Sequence, residues 1–109
     1  MKSRASDLKG FKAKIFKALS DPIRLEIIEF LRDGEKCVCE ITPHLNLIQP
    51  LVSRHLRILK DSGLVRDQKD GSKRLYSITD QRIFEVADAL TPDMIDSLSR
   101  RIIEQIIVT

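Results

Sequence analysis

The sequence has 109 residues, 42% of them hydrophobic and 32% charged, which is the composition of one ordinary globular domain. No apolar run approaches the roughly 20 residues of a membrane helix, and the basic N-terminus is not followed by the apolar stretch of a secretion signal. We therefore expect a cytoplasmic protein without a membrane partner. There, two cysteines are more often thiols, metal ligands or redox sensors than a structural disulfide.

Charge is unevenly distributed along the chain, whose formal net charge is +3. Residues 1–17 and 49–79 carry net charges of +5 and +4, whereas residues 18–48 and 80–109 carry −3 each. A basic block inside a nearly neutral chain is typical of a nucleic-acid-binding surface. It is equally typical of a solvated face with no partner, so charge alone leaves both interpretations open.

Apolar residues at helical spacing predict two helices in the first third of the chain. The first covers residues 8–19. Asp21 suits the cap of a second helix and Pro22 its first position, and the pattern ends at Asp33-Gly34.

The middle of the chain predicts a helix-turn-helix followed by a hairpin. A short helix over residues 38–46 and a longer one over residues 49–62 are joined by a tight turn, which is the helix-turn-helix arrangement. The period then changes to that of strands over residues 64–68 and 73–78, and the Asp70-Gly71 pair between them favours a hairpin.

Helical spacing returns over residues 81–107, either as one kinked helix or as two helices with a second start at Thr91-Pro92. The whole order predicts a mainly α fold with a β-hairpin wing, in the α+β class. We expect a single winged helix-turn-helix domain over residues 1–109.

The second helix of a helix-turn-helix lies in the major groove of DNA and presents its first residues to base edges. We expect base or phosphate contacts from Gln49, Pro50, Ser53, Arg54, His55, Arg57 and Lys60, of which Arg57 and Lys60 suit phosphates. The hairpin adds Lys69, Gly71, Lys73 and Arg74. His55 has two open roles, contact with a phosphate or burial against the preceding helix.

Three motifs carry a family resemblance: ALSDPIRLEI at residues 18–27, QP followed by SRHLRIL within residues 49–59, and SGLV at residues 62–65. In this order they resemble the ArsR/SmtB family of arsenical- and metal-sensing repressors, over roughly residues 14–80. The resemblance implies a homodimer that binds palindromic, double-stranded operator DNA and leaves it when an effector arrives.

The resemblance also implies that the first and last helices, residues 8–19 and 81–107, form the dimer interface. The residues agree, because these terminal helices hold more large apolar side chains than a small monomer easily buries. A two-fold dimer presents two recognition helices about one turn of DNA apart.

Cys37 and Cys39 lie in a segment that resembles the inducer-binding segment of the family's arsenic and cadmium/lead sensors. Thiolates suit soft ions such as As(III), Cd(II), Pb(II) and Zn(II). On a regular helix, side chains two residues apart point about 200° apart, whereas in an extended segment they share a face. Either a late helix start at Thr42-Pro43 leaves the pair extended, or the ligand unwinds the helix. Both routes move the element that positions the recognition helix.

The segment departs from the family pattern in its ligands. Thr42 stands near the place of the third cysteine of the arsenic sensors, and residues 1–36 contain no cysteine of the kind that cadmium/lead sensors add. Residues 80–109 lack the histidine of the zinc site found in some relatives. A third ligand stays open between His44, Glu40, an exogenous thiol and a group of a partner subunit. A thiol redox switch and cysteines without a sensing role are the other interpretations.

Three classes of function follow from these observations. The first is an effector-responsive transcriptional repressor, and the second is a winged-helix module that binds protein or RNA. An enzyme is the third. We expect no enzyme, because the sequence has two histidines, no phosphate loop and no pairing of a nucleophile with a base.

Overall fold

The computed structural model describes residues 4–108, with side chains from residue 7 to residue 107. In chain order, the elements are α1 (Arg4–Leu19), α2 (Pro22–Phe30), β1 (Lys36–Cys37), α3 (Val38–Leu45), α4 (Gln49–Asp61), β2 (Val65–Asp70), β3 (Lys73–Ile78), α5 (Arg82–Asp88) and α6 (Pro92–Val108). The predicted winged helix-turn-helix is confirmed. The last segment, for which one kinked helix or two helices were expected, forms two helices, α5 and α6. No helix within residues 4–108 is long and apolar enough to cross a membrane.

Local hydrogen bonds fix where the first helices of the domain begin and end. The Asp21 carboxylate accepts hydrogen bonds from the backbone N–H groups of Ile23 (2.8 Å) and Arg24 (3.2 Å), which caps α2. Asn46 ends α3 in the left-handed conformation, with φ at 53°, which asparagine tolerates better than most residues. The chain can therefore turn sharply from α3 into α4.

The wing is a hairpin of β2 and β3 whose strands pair from Val65↔Ile78 to Asp70↔Lys73. Gly71 supplies the positive φ of 63° that this tight turn requires. A third strand, β1, pairs antiparallel with β3 through Lys36↔Tyr76 and Cys37↔Leu75, which gives the order β1-β3-β2. The sheet therefore connects the start of α3 directly to the wing.

The late start of α3 at Thr42-Pro43, one of the two routes considered for the cysteine pair, is wrong. Helix α3 begins at Val38, and Pro43 lies inside it. The reason is a cap at Cys37: its sulfur accepts the Cys39 N–H at 2.9 Å, and Glu40 Oε1 accepts the Cys37 N–H at 3.1 Å. These reciprocal bonds start the helix before the proline is reached.

The core lies between α2, α3, α4 and the sheet. Its fully buried side chains are Ile27, Ile28, Leu31, Ile41, Val52, Leu56 and Leu59. Three of these come from one face of α4, so the position of this helix is set by apolar packing on its inner side.

The terminal helices leave large apolar side chains on the surface of the single chain. On α1 they are Leu8, Phe11, Ile15 and Phe16, which are 37–67% exposed. On α6 they are Met94, Ile95, Leu98, Ile102, Ile103, Ile106 and Ile107, which are 45–76% exposed. A patch of this kind on a small protein is typical of an interaction surface.

Replacing Leu56 by alanine tests the packing of α4. Because Leu56 is fully buried, the variant should lose roughly 2–5 kcal/mol of unfolding free energy in chemical denaturation at fixed protein concentration. Arg57→Ala is the matched control on the exposed face and should change that free energy by less than about 0.5 kcal/mol. Equal losses in the two variants would show that α4 is not held by its inner face.

Candidate nucleic-acid interface

Helix α4 has a polar outer face opposite its buried one. Its exposed residues are Gln49, Pro50, Ser53, Arg54, Arg57, Lys60 and, at the end of the helix, Asp61. Their spacing of three or four residues places most of them along one side of the helix. Pro50, Ser53, Arg54 and Arg57 line a shallow depression of about 250 Å³. Six of the seven helix residues expected to contact DNA therefore lie on the surface.

His55 lies on the other side of α4. It is 8% exposed, and its Nδ1 lies 3.2 Å from Nη1 of Arg24 on α2. Arg24 also donates from Nε to the Ala18 carbonyl at 2.6 Å and from Nη2 to the Lys17 carbonyl at 3.3 Å. Two roles were open for His55, contact with a phosphate or burial against the preceding helix, and the structure shows it buried. The network joins the end of α1 to α4, and Arg24 was not singled out from the sequence.

The expected wing residues are exposed, and two of the expected phosphate-binding cations are paired. Lys69, Gly71, Lys73 and Arg74 all lie on the surface of the hairpin. Asp67 on β2 forms salt bridges with Lys60 of α4, at 2.8 Å, and with Arg74 of β3. The Asp67 side chain is 9% exposed, whereas both cations are half exposed. Asp67 therefore fastens the wing to the end of α4, a role that the sequence did not suggest.

A groove of about 700 Å³ lies between α3, the start of α4 and the wing. Its walls include Cys37, Cys39, Gln49, Ser53, Lys73 and Arg74. The groove thus brings both cysteines together with residues expected to contact DNA. The walls are cationic on the wing side, which suits an anionic ligand such as a DNA phosphate.

The two cysteines differ in exposure. Cys37 caps α3 in an extended conformation, pairs with β3 and is 4% exposed, whereas Cys39 lies in the first helical turn and is exposed. Their sulfurs are joined in a disulfide, with the Cα atoms 5.0 Å apart. Because Cys37 itself is not helical, the opposed geometry of two helical residues does not apply. Neither an extended pair nor an unwound helix is needed for the sulfurs to meet.

The candidates for a third metal ligand have other contacts. His44 Nε2 lies 2.9 Å from Glu26 Oε1, and the His44 ring stacks on Phe30 with centroids 3.9 Å apart. Glu40 holds the cap of α3. Within residues 7–107, no three His, Cys, Asp or Glu side chains are grouped to hold a metal ion. Thr42 is one of the residues that line the groove with the cysteines, and its hydroxyl oxygen is buried without a hydrogen-bond partner.

The Asp67 salt bridges should make the stability of the wing depend on pH. A hydrogen bond from Lys60, which has the larger effect, and one from Arg74 lower the pKa of Asp67 below its usual value. A carboxyl whose pKa is depressed by folding stabilises the fold above its unfolded pKa, and this contribution disappears as the pH falls through the folded pKa. Asp67→Asn should therefore be less stable than the wild type at pH 7, and the difference should vanish well below about pH 4.

Chemical denaturation across this pH range measures the difference. Asp70→Asn, which removes an exposed carboxylate at the tip of the same strand, is the matched control, and it should change the free energy of unfolding at pH 7 by less than about 0.5 kcal/mol. A deficit of Asp67→Asn that stayed constant from pH 7 to pH 2 would contradict an electrostatic role.

Comparisons with known proteins agree with this fold. Residues 21–67 match the model of a family described as "Bacterial regulatory protein, arsR family". The chain is 45% identical over 75 residues to an uncharacterised HTH-type transcriptional regulator of Methanocaldococcus jannaschii, covering 68% of this chain and 84% of that protein. It is 44% identical over 64 residues to the arsenical resistance operon repressor of Staphylococcus xylosus, covering 59% of this chain and 62% of the repressor.

Solved structures show the same architecture. A homodimeric winged helix-turn-helix DNA-binding domain from Mycobacterium bovis, described as a possible ArsR-family regulator, superposes with a TM-score of 0.79 at 26% identity, covering 89% of this chain and 93% of that one. Reduced HlyU from Vibrio cholerae superposes with a TM-score of 0.71 at 26% identity, covering 81% and 96%. With the family match and these relatives together, the chain belongs to the ArsR family of winged-helix transcriptional regulators.

Proposed function

We propose that this chain is a homodimeric transcriptional repressor that binds operator DNA through α4 and the wing and releases it when Cys37 and Cys39 react. The observation that carries the proposal is the groove in which both cysteines lie beside Gln49, Ser53 and the wing cations. A chemical change at the sulfurs therefore acts within the surface that contacts DNA.

The proposed dimer uses the terminal helices, residues 8–19 and 81–107. Their side chains expose apolar surface, and its removal from water on dimerisation lowers the free energy. The relative from Mycobacterium bovis that covers 89% of this chain is described as homodimeric, which supports a homodimer here. Two-fold symmetry places two copies of α4 on successive turns of a palindromic operator.

Each exposed residue of the interface has a proposed role. Gln49, Ser53 and Arg54 contact base edges, because they stand near the start of α4 and carry hydrogen-bonding groups. Pro50 packs beside them. Arg57, Lys69 and Lys73 contact phosphates, and Gly71 lets the wing approach the backbone. Lys60 and Arg74 act mainly through Asp67, by holding the wing in place.

The effector we favour is a soft metal or metalloid ion, in the group As(III), Cd(II), Pb(II) and Zn(II). Two thiolates suit such ions, and relatives are named as arsenical, mercury and cadmium resistance regulators. An exogenous thiol or a partner-subunit group completes the coordination, because the described residues contain no ready third ligand. Binding of the ion withdraws the Cys37 sulfur from the cap of α3 and disturbs the backbone pairing of Cys37 with β3.

A redox switch is the second candidate, favoured by the direct contact of the two sulfurs. In this reaction the two thiols lose two protons and two electrons to an external oxidant and form the disulfide.

Base and phosphate contacts predict different effects of mutation. Arg54→Ala should weaken operator binding by about 1–3 kcal/mol and relax the base preference at one position. Lys73→Ala should weaken binding to every sequence and reduce the slope of log K against log salt by about one for each half-site. Fluorescence anisotropy with operator and scrambled DNA measures both. A changed base preference in Lys73→Ala would contradict the wing assignment.

The effector is tested by titrating the reduced protein onto its own upstream promoter DNA and adding As(III), Cd(II), Pb(II), Zn(II) or an oxidant. We expect release of the DNA by at least one agent, and no release in Cys37→Ser or Cys39→Ser. Serine at position 37 removes the thiol but still caps a helix, so loss of response there is not loss of α3. Release by the oxidant alone would select the redox switch.

Thr42→Cys is the variant that should gain sensitivity to the effector, in contrast to the two serine variants that should lose it. It adds a third sulfur to the groove beside Cys37 and Cys39, so As(III) should release DNA at a lower concentration than from the wild type. DNA binding that no agent changes, in any variant, would contradict thiol sensing. Binding to a partner that does not weaken with salt would instead favour a protein-binding module.

A further inference from the structure

Ile48 is unusual in two respects: it is an apolar residue at a helix N-cap, and its side chain is exposed. It precedes α4 as its N-cap, with φ at −74° and ψ at 145°, and makes no side-chain capping hydrogen bond. Isoleucine is among the poorest residues at this position, where Ser, Thr, Asp and Asn are preferred. Its side chain is also 70% exposed. Ile48 thus exposes an apolar side chain at a position where a capping side chain is usual.

Packing within the chain does not account for this residue. Between residues 26 and 85, Ile48 is the only strongly exposed large apolar side chain. Its neighbour Leu47 packs against the core. The other strongly exposed apolar groups lie on α1, α2, the region from α5 to the start of α6, and α6 itself.

The place of Ile48 identifies its partner by chemistry. Its carbonyl accepts the first hydrogen bonds of α4, from the N–H groups of Leu51 and Val52, so Ile48 stands at the N-terminal end of the helix that is proposed to enter the major groove. Gln49 and Ser53 beside it line the groove between α4 and the wing. In the major groove the apolar feature of a base pair is the C5-methyl group of thymine.

We infer that Ile48 is a specificity-determining residue that contacts a thymine methyl group in each half of the operator; this rests on the proposed DNA-binding function. The contact favours an A·T pair at that position. It adds no charge, so it leaves the salt dependence of binding unchanged.

The test begins with selection of preferred sites from a random duplex library by the reduced wild-type protein. Each thymine of the selected site is then replaced by deoxyuridine, which differs only by the missing methyl group. For the wild type, replacing the contacted thymine of a single half-site should weaken binding by about fourfold, the value of one buried methyl group. Ile48→Val should keep this penalty because it keeps an apolar, branched side chain.

Ile48→Ser should bind the thymine and deoxyuridine sites equally. Its thermal unfolding temperature should equal or exceed that of the wild type, because serine supplies the missing cap. Its dimer mass in light scattering and its salt slope should not change. A wild type insensitive to every deoxyuridine, an Ile48→Ser variant that keeps the penalty, or one that loses the dimer would each overturn the inference. Failure of the wild type to enrich any sequence would overturn the proposed function itself.

Discussion

Burial of the inner face of α4 is the constraint on which the rest of the molecule depends. Val52, Leu56 and Leu59 have no exposed surface, and they hold the helix against α2, α3 and the sheet. Because a helix turns by 100° per residue, fixing one face also fixes the direction of the opposite one. The outward direction of Ser53 and Arg54 is therefore a consequence of hydrophobic packing.

Two polar networks refine that position, one at His55 in the middle of α4 and one at Lys60 near its C-terminal end. Arg24 connects His55 to the carbonyl groups that end α1, so the helix proposed for the dimer contact is coupled to the helix proposed for DNA contact. Near the C-terminal end of α4, Asp67 forms salt bridges with Lys60 and with Arg74 of the wing. Two of the seven cationic side chains in residues 49–79, Lys60 and Arg74, are thus engaged within the fold rather than free to bind phosphates.

Local patterns predicted the elements of this fold well. Helical spacing, the cap at Asp21 and the Asp-Gly turn are signals that lie within a few residues, and the structure has the elements they indicate. The sequence missed what depends on distant pairing. Strand β1 has two residues and exists only because β3 lies beside it. The helix over residues 38–46 was predicted, but the capping role of Cys37 was not, because a cysteine is not an expected helix cap. The contact between Arg24 and His55 was missed because it joins residues 31 positions apart.

The exposed apolar faces of α1 and α6 link the output of such a regulator to its abundance. If two copies pair through these faces, the fraction assembled is set by mass action and falls as the protein is diluted. At low copy number, the population of assembled pairs varies with the square of the protein concentration. A modest change in synthesis then produces a larger change in promoter occupancy, so gene dosage becomes a second input beside any chemical signal.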